Sequence, residues 1–173
     1  MMHRRILPAF VAVLPVLAQA PAPAPAADPF APLRFLVGRW QGEDAKGVPG
    51  KASGEFTLRP ELGGKVLVRR NVADYPAQNG RPAVHHEDLT TVYPERGELK
   101  ALYVDNEGHA IHYTVAAAPA GEGVVLLSEG PGPRFRLSYL KQGADRIAIR
   151  FEIAPPGKDF ATYLEADARR IKD

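Results

Sequence analysis

From residue 39 to residue 171 the chain is a succession of short runs with period two, broken at roughly eight to twelve residues by glycine, proline or an Asn-Gly step. Period-two alternation sends successive side chains to opposite faces of an extended chain, so each run can offer one apolar face to a core. The spacing predicts strands at 39–45, 51–59, 65–74, 83–93, 98–105, 109–117, 123–129, 133–141, 145–154 and 160–171. Short connections such as Asp105-Asn106-Glu107-Gly108 and Gln142-Gly143-Ala144-Asp145 predict antiparallel neighbours in a meander. Closing that meander removes its sheet edges. The predicted fold is all-β: a roughly ten-stranded antiparallel up-and-down barrel with a short N-terminal helical turn.

The faces of several runs are readable. Ile147, Ile149, Phe151 and Ile153 alternate with Arg146, Ala148, Arg150 and Glu152, while Phe135, Leu137 and Tyr139 share a face opposite Arg134, Arg136 and Ser138. Together they predict one aromatic and aliphatic inner wall. Leu33, Leu36 and Val37 lead as an apolar turn into Gly38-Arg39-Trp40-Gln41-Gly42, where the single tryptophan stands between two glycines. A helical plug there would close one barrel end, with Trp40 filling the floor. The expected interior includes Trp40, Phe135, Leu137, Ile149 and Phe151. In 65–74, Val66, Val68, Arg70 and Val72 lie on one face and Leu67, Arg69 and Asn71 on the other. Arg70 thus accompanies the apolar set, either as an anchor for a carboxylate inside a cavity or as a strand-end cation reaching the rim.

Upstream, Met1 to Arg5 is basic, Ile6 to Leu17 is apolar, and Ala18-Gln19-Ala20 is an A-x-A cleavage signal. This predicts a signal peptide over 1–20 and export to the periplasm or medium, with no membrane attachment after cleavage. Residues 21–32 alternate proline and alanine and read as a tether, leaving 33–173 as the barrel domain. The chain contains no cysteine, which excludes disulfides, thiolate metal sites and cysteine nucleophiles. Lys and Arg number 22 against 20 Asp and Glu, and leader removal takes Arg4 and Arg5, so the mature charges balance. Arg69-Arg70 and Arg169-Arg170 are isolated pairs, which argues against nucleic acid as a partner.

The Gly38-x-Trp40-x-Gly42 step, the Leu62-Gly63-Gly64-Lys65 turn, the hairpin from Tyr103 to His109 and the closing run from Tyr163 to Arg170 together resemble the nitrobindin-like branch of the calycin barrels. The nearest likeness is to uncharacterised exported bacterial proteins of that branch, and it spans nearly the whole mature chain. It implies a ten-stranded, lipocalin-like barrel with a small-molecule cavity. In nitrobindins proper, a last-strand histidine ligates a b-type haem that isomerises peroxynitrite. Tyr163 stands where that histidine would be, and Asp44 replaces the third glycine of the tryptophan motif. A tyrosine can ligate haem iron, but only after losing its proton, so the expectation is no tightly held haem.

The mature chain has four histidines, His85, His86, His109 and His112. Neither sequence pair converges on a strand, so no metal site is expected; one of His85 or His86 approaches Tyr103 and His112 if the three strands are consecutive neighbours. No nucleophile elbow, P-loop, zincin or dinucleotide motif occurs, and the reading leans away from an enzyme. Three functions remain: a barrel holding a small apolar or amphipathic molecule, a haem enzyme, and a packed scaffold acting through its outer surface. For the first, the candidate lining is Trp40, Arg70 and Tyr103 from the first half of the chain, His112 beside them, and Tyr139, Phe151 and Tyr163 from the second. The reading also admits a homodimer.

Overall fold

The structure, a computed structural model, describes residues 27–46, 53–77, 80 and 82–172. The expected leader over 1–20 and the first half of the Pro-Ala stretch, 21–26, lie outside the described residues. A 3-10 turn at Ala31–Leu36 precedes ten strands: β1 (Gly38–Lys46), β2 (Ser53–Glu61), β3 (Val66–Tyr75), β4 (Val84–Glu95), β5 (Glu98–Asp105), β6 (Ala110–Ala117), β7 (Gly123–Ser128), β8 (Arg134–Lys141), β9 (Arg146–Ala154) and β10 (Ala161–Ile171). Each strand pairs antiparallel with its neighbours in sequence, and β1 pairs with β10 to close the barrel. This is the all-β, ten-stranded up-and-down barrel that alternation and short turns predict.

Closure is made by residues from the two ends of the fold. Trp40 is directly paired with Arg170 across β1 and β10. The Arg170 guanidinium lies 4.4 Å from the Trp40 ring centroid. Its Nη1 donates to the Val37 carbonyl at 2.7 Å and its Nη2 to the Phe35 carbonyl at 2.6 Å. Trp40 Nε1 donates to the Leu36 carbonyl at 2.9 Å, so both side chains cap carbonyls at the C-terminal end of the 3-10 turn. Gly38 is required by this contact. Its φ is +133°, and a Cβ there would stand 2.6 Å from Arg170 Nη1.

The turn plugs the floor with Leu33 and Leu36. Phe30 joins them although it lies in the stretch predicted as tether. It is the one large apolar residue there, and the Asp28 carboxylate holds it by accepting from the Phe30 N–H at 3.0 Å while pairing with Arg34. Above the plug, Trp40 stacks on Phe56 with centroids 6.1 Å apart, and Phe56 meets Tyr139 at 5.9 Å. Leu67, Tyr113, Val124 and Ile147 fill the remaining floor. Towards the other end, inward-facing Ile111, Phe135, Leu137, Ile149 and Phe151 are only partly buried.

Arg170→Ala should destabilise the fold by about 2–3 kcal/mol, since it removes a partly buried cation–π contact and two charge-assisted hydrogen bonds. Arg170→Lys should recover little, because an ammonium cannot reproduce the planar fork. Urea unfolding measures both; a loss under about 0.5 kcal/mol, typical of surface positions, would contradict this account of closure.

Candidate ligand-binding site

Because Trp40 faces inward and pairs with Phe56, and Phe56 pairs with Asn71, the inward set of β3 is Leu67, Arg69, Asn71 and Ala73. Pairing carries that set onward. Arg69 faces Thr90 and Asn71 faces Asp88 across β3 and β4. Thr90 then faces Tyr103, and Asp88 faces Asp105, across β4 and β5. Above an apolar floor, the β3–β5 wall is therefore polar. The strand order puts β8, β9 and β10 across the barrel from it. That wall is apolar, with Phe135 stacked on Phe151 at 6.0 Å and 7°.

Arg69 is the centre of the polar wall. Its Nη1 donates to Asp88 Oδ1, and its guanidinium lies 4.9 Å from the Phe56 ring centroid. Asn71 Nδ2 donates to the other Asp88 oxygen at 2.9 Å, and His86 Nε2 stands 3.4 Å from that same oxygen. The Asp88 side chain is 4% exposed, so these partners are what make its charge tolerable. His86 Nδ1 is 2.9 Å from Glu107 Oε1. Tyr103 donates its hydroxyl to Asp105 Oδ2 at 2.9 Å, and Asp105 also accepts from the N–H groups of Glu107 and His109, which shapes the hairpin at the mouth.

Among the described residues, three buried side-chain atoms have no hydrogen-bond partner: Arg69 Nε, Thr90 Oγ1 and Tyr139 Oη. Thr90 and Tyr139 are each 3% exposed. All three belong to inward-facing residues and are sealed from solvent, where an orphaned polar group is costly. Burial works against the Arg69 charge, but the Asp88 carboxylate outweighs it and holds the guanidinium above its usual range. Burial pushes the Tyr103, Tyr113 and Tyr139 hydroxyls upward, keeping them protonated.

Several candidate residues sit elsewhere than alternation alone suggests. Arg70 is on the outer wall and exposed; its neighbour Arg69 occupies the interior, because the inward face of β3 is polar and is balanced by Asp88 rather than by a run of valines. His112 is exposed on the outer face, while His86 approaches Tyr103 at 3.4 Å. Tyr163 does not line the barrel. It falls at a bulge between Thr162 and Leu164 at the barrel mouth, 60% exposed, its ring T-shaped to that of Phe151 at 6.0 Å. Beyond that bulge Leu164, Ala166 and Ala168 pair with Phe151, Ile149 and Ile147 and face inward. Trp40 lies on the floor, Tyr103 and Tyr139 are interior, and Phe151 is on the apolar wall. Inward residues that alternation missed are Arg69, Asn71, Asp88 and Thr90, while His86 is one of the two imidazoles expected near Tyr103; the sequence signal was a pair of complementary patterns, Arg-x-Asn on one strand and His-x-Asp-x-Thr on the next.

Two concavities, of about 420 and 350 Å³, lie away from this wall: one lined by outward residues including Gln41, Glu55, Arg70 and Val72, the other by rim residues including Tyr75, Val84 and His85. Neither is lined by an orphaned polar atom.

The Asp88 carboxylate, joined by Glu107, raises the His86 pKa from 6.5 to about 9 against the opposing effect of burial. A raised folded-state pKa adds stability that is complete below pH 6.5 and is lost as pH rises through 9. His86→Asn should therefore cost up to about 3 kcal/mol more at pH 6 than at pH 10. Urea unfolding of both proteins at the two pH values checks this; a pH-independent difference would contradict it.

No family model matches the sequence, and no curated protein matches it either. Among solved structures, a similar chain is the S-type phycobiliprotein lyase CPES from Guillardia theta, at 11% identity and a TM-score of 0.49, covering 81% of this chain and 90% of that one.

Proposed function

We propose that this protein is an exported barrel that holds a small apolar or amphipathic molecule in the open half of its interior. The observation that carries the reading is the change in packing along the barrel. Floor side chains such as Trp40 at 1% are sealed, whereas inward-facing Ile111, Phe135, Leu137, Ile149 and Phe151 keep access to solvent. Apolar side chains that point into a barrel yet remain wetted are the lining of a ligand space. The resemblance to the nitrobindin-like branch favours the same reading, and the A-x-A signal favours export.

Haem does not fit the residues present. The inward face of β10 offers Leu164, Ala166 and Ala168, none of which can ligate iron, and Tyr163 is displaced to the rim by its bulge. His86, the inward histidine of β4, has its ring nitrogens engaged by Asp88 and Glu107. The proposed barrel therefore works by binding, without a catalytic residue.

Titration of the mature chain with the neutral probe N-phenyl-1-naphthylamine tests the proposal. Blue-shifted, saturable emission is expected, weakened about tenfold by Phe151→Ala through loss of apolar contact. Absence of saturable binding would overturn the binding reading. Hemin added to the same protein should give no sharp Soret band; a stoichiometric band abolished by Tyr163→Phe would instead favour the haem enzyme.

A further inference from the structure

The large apolar side chains left exposed are gathered at one end of the barrel. Among the described residues they are Leu62, Val72, Val84, Val104, Leu127 and Tyr163. Successive strands run in opposite directions, so the mouth is formed by the ends of β3, β5 and β7 and by the starts of β4, β8 and β10. Val72, Val84, Val104, Leu127 and Tyr163 each lie within three residues of the mouth end of their strand; Leu62 alone is at the floor, in the β2–β3 turn. Single exposed hydrophobics are ordinary on a soluble surface, but five at one end, spread over β3, β4, β5, β7 and β10, form a broken collar around an opening. The exposed, uncharged stretches 130–133 (Gly-Pro-Gly-Pro) and 155–157 (Pro-Pro-Gly) extend it where β7 joins β8 and β9 joins β10. At its inner edge Tyr163 is T-shaped to Phe151, which stacks on Phe135, so the collar runs into the apolar wall.

Resting on the binding reading above for its cargo, we propose that the mouth docks reversibly on a neutral, zwitterionic lipid surface, from which the apolar ligand enters the barrel. A ring of side chains around an opening is met all at once only by a partner that approaches along the barrel axis with a flat face. Charge decides between the flat partners. The rim charges are interspersed with the collar and pair among themselves: His85 with Asp74 and Glu87, His86 with Glu107, and His109 with Asp105. A second copy set mouth to mouth would strip water from pairs such as His85 and Asp74, whose side chains are 54% and 62% exposed. A head-group layer leaves them hydrated and meets them with its own ammonium and phosphate groups. An anionic membrane is disfavoured, because the carboxylates of Asp74, Glu87 and Glu107 stand at the mouth and no run of lysine and arginine does. Tyr163 suits a lipid interface, with its ring against Phe151 and much of its surface exposed.

Flotation of the mature chain with phosphatidylcholine vesicles at pH 7, without added ligand, tests docking apart from binding. The chain is expected to float. The Val104→Asp/Leu127→Asp double variant, changed only at exposed positions on the outer face, should bind vesicles about tenfold more weakly, while its titration with N-phenyl-1-naphthylamine in the absence of vesicles is unchanged. Leu62→Asp, at the opposite end, should float as the parent does. Because the chain has no cysteine, an NBD label on Leu127→Cys or on Leu62→Cys reports each end by itself. The first label should brighten and shift to the blue with vesicles, and the second should not. The inference is overturned by a parent that does not float, by a double variant that floats undiminished, by equal responses from the two labels, or by binding that requires phosphatidylglycerol. A lipid-independent dimer abolished in the double variant would overturn it in favour of a second copy. If the naphthylamine binds and docking fails, this inference falls alone. If vesicles are bound and the naphthylamine is not, the binding reading falls and the docking surface stands.

Discussion

The contact between Trp40 and Arg170 decides which side chains this barrel can use. It joins the first strand to the last, and the guanidinium ties both to the carbonyls of the plug, so the floor is one unit made from residues 130 positions apart. Parity then follows by register. Trp40 inward sets Phe56 inward, Phe56 sets Asn71, Asn71 sets Asp88, and Asp88 sets Asp105. Arg170 inward likewise sets Ala168, Ala166 and Leu164 on the last strand. A shift of one residue in the β1–β2 or β2–β3 pairing would turn Arg69 outward and Arg70 inward.

Barrel interiors are usually read as apolar, and here that assumption fails on one wall only. The β8–β10 side obeys it, and Phe135, Leu137, Tyr139, Ile147, Ile149 and Phe151 could be assigned to the interior from alternation alone. On β3 the more apolar face, Val66, Val68, Arg70 and Val72, is the outer one. The inward face survives with an arginine and an asparagine because Asp88 receives both and Phe56 covers the guanidinium. Such compensation lives in cross-strand pairing, which a single strand's sequence does not display.

The strand count, the turns, the plug and the role of Trp40 were all legible in the chain, because each depends on local periodicity or on a residue type with few alternatives. The polar wall was not, since it depends on register. Tyr163 shows a second limit. The family resemblance put it at the position of an inward ligand, whereas counting alternate residues back from the end of β10 makes Leu164 the inward residue and leaves Tyr163 at the single-residue bulge. His86 and His112 show the same divide: neighbouring strands were foreseeable, but which imidazole turns inward was set by pairing with Ala73 and Leu102.

The central claim is that the interior above the sealed floor is open along its apolar wall to a small molecule. A crystal structure of the mature chain soaked with N-phenyl-1-naphthylamine tests it most directly. The account predicts the naphthalene ring inside the barrel, against the stacked Phe135 and Phe151. An interior closed by side-chain packing, with the probe absent or bound only on the outer wall, would contradict it.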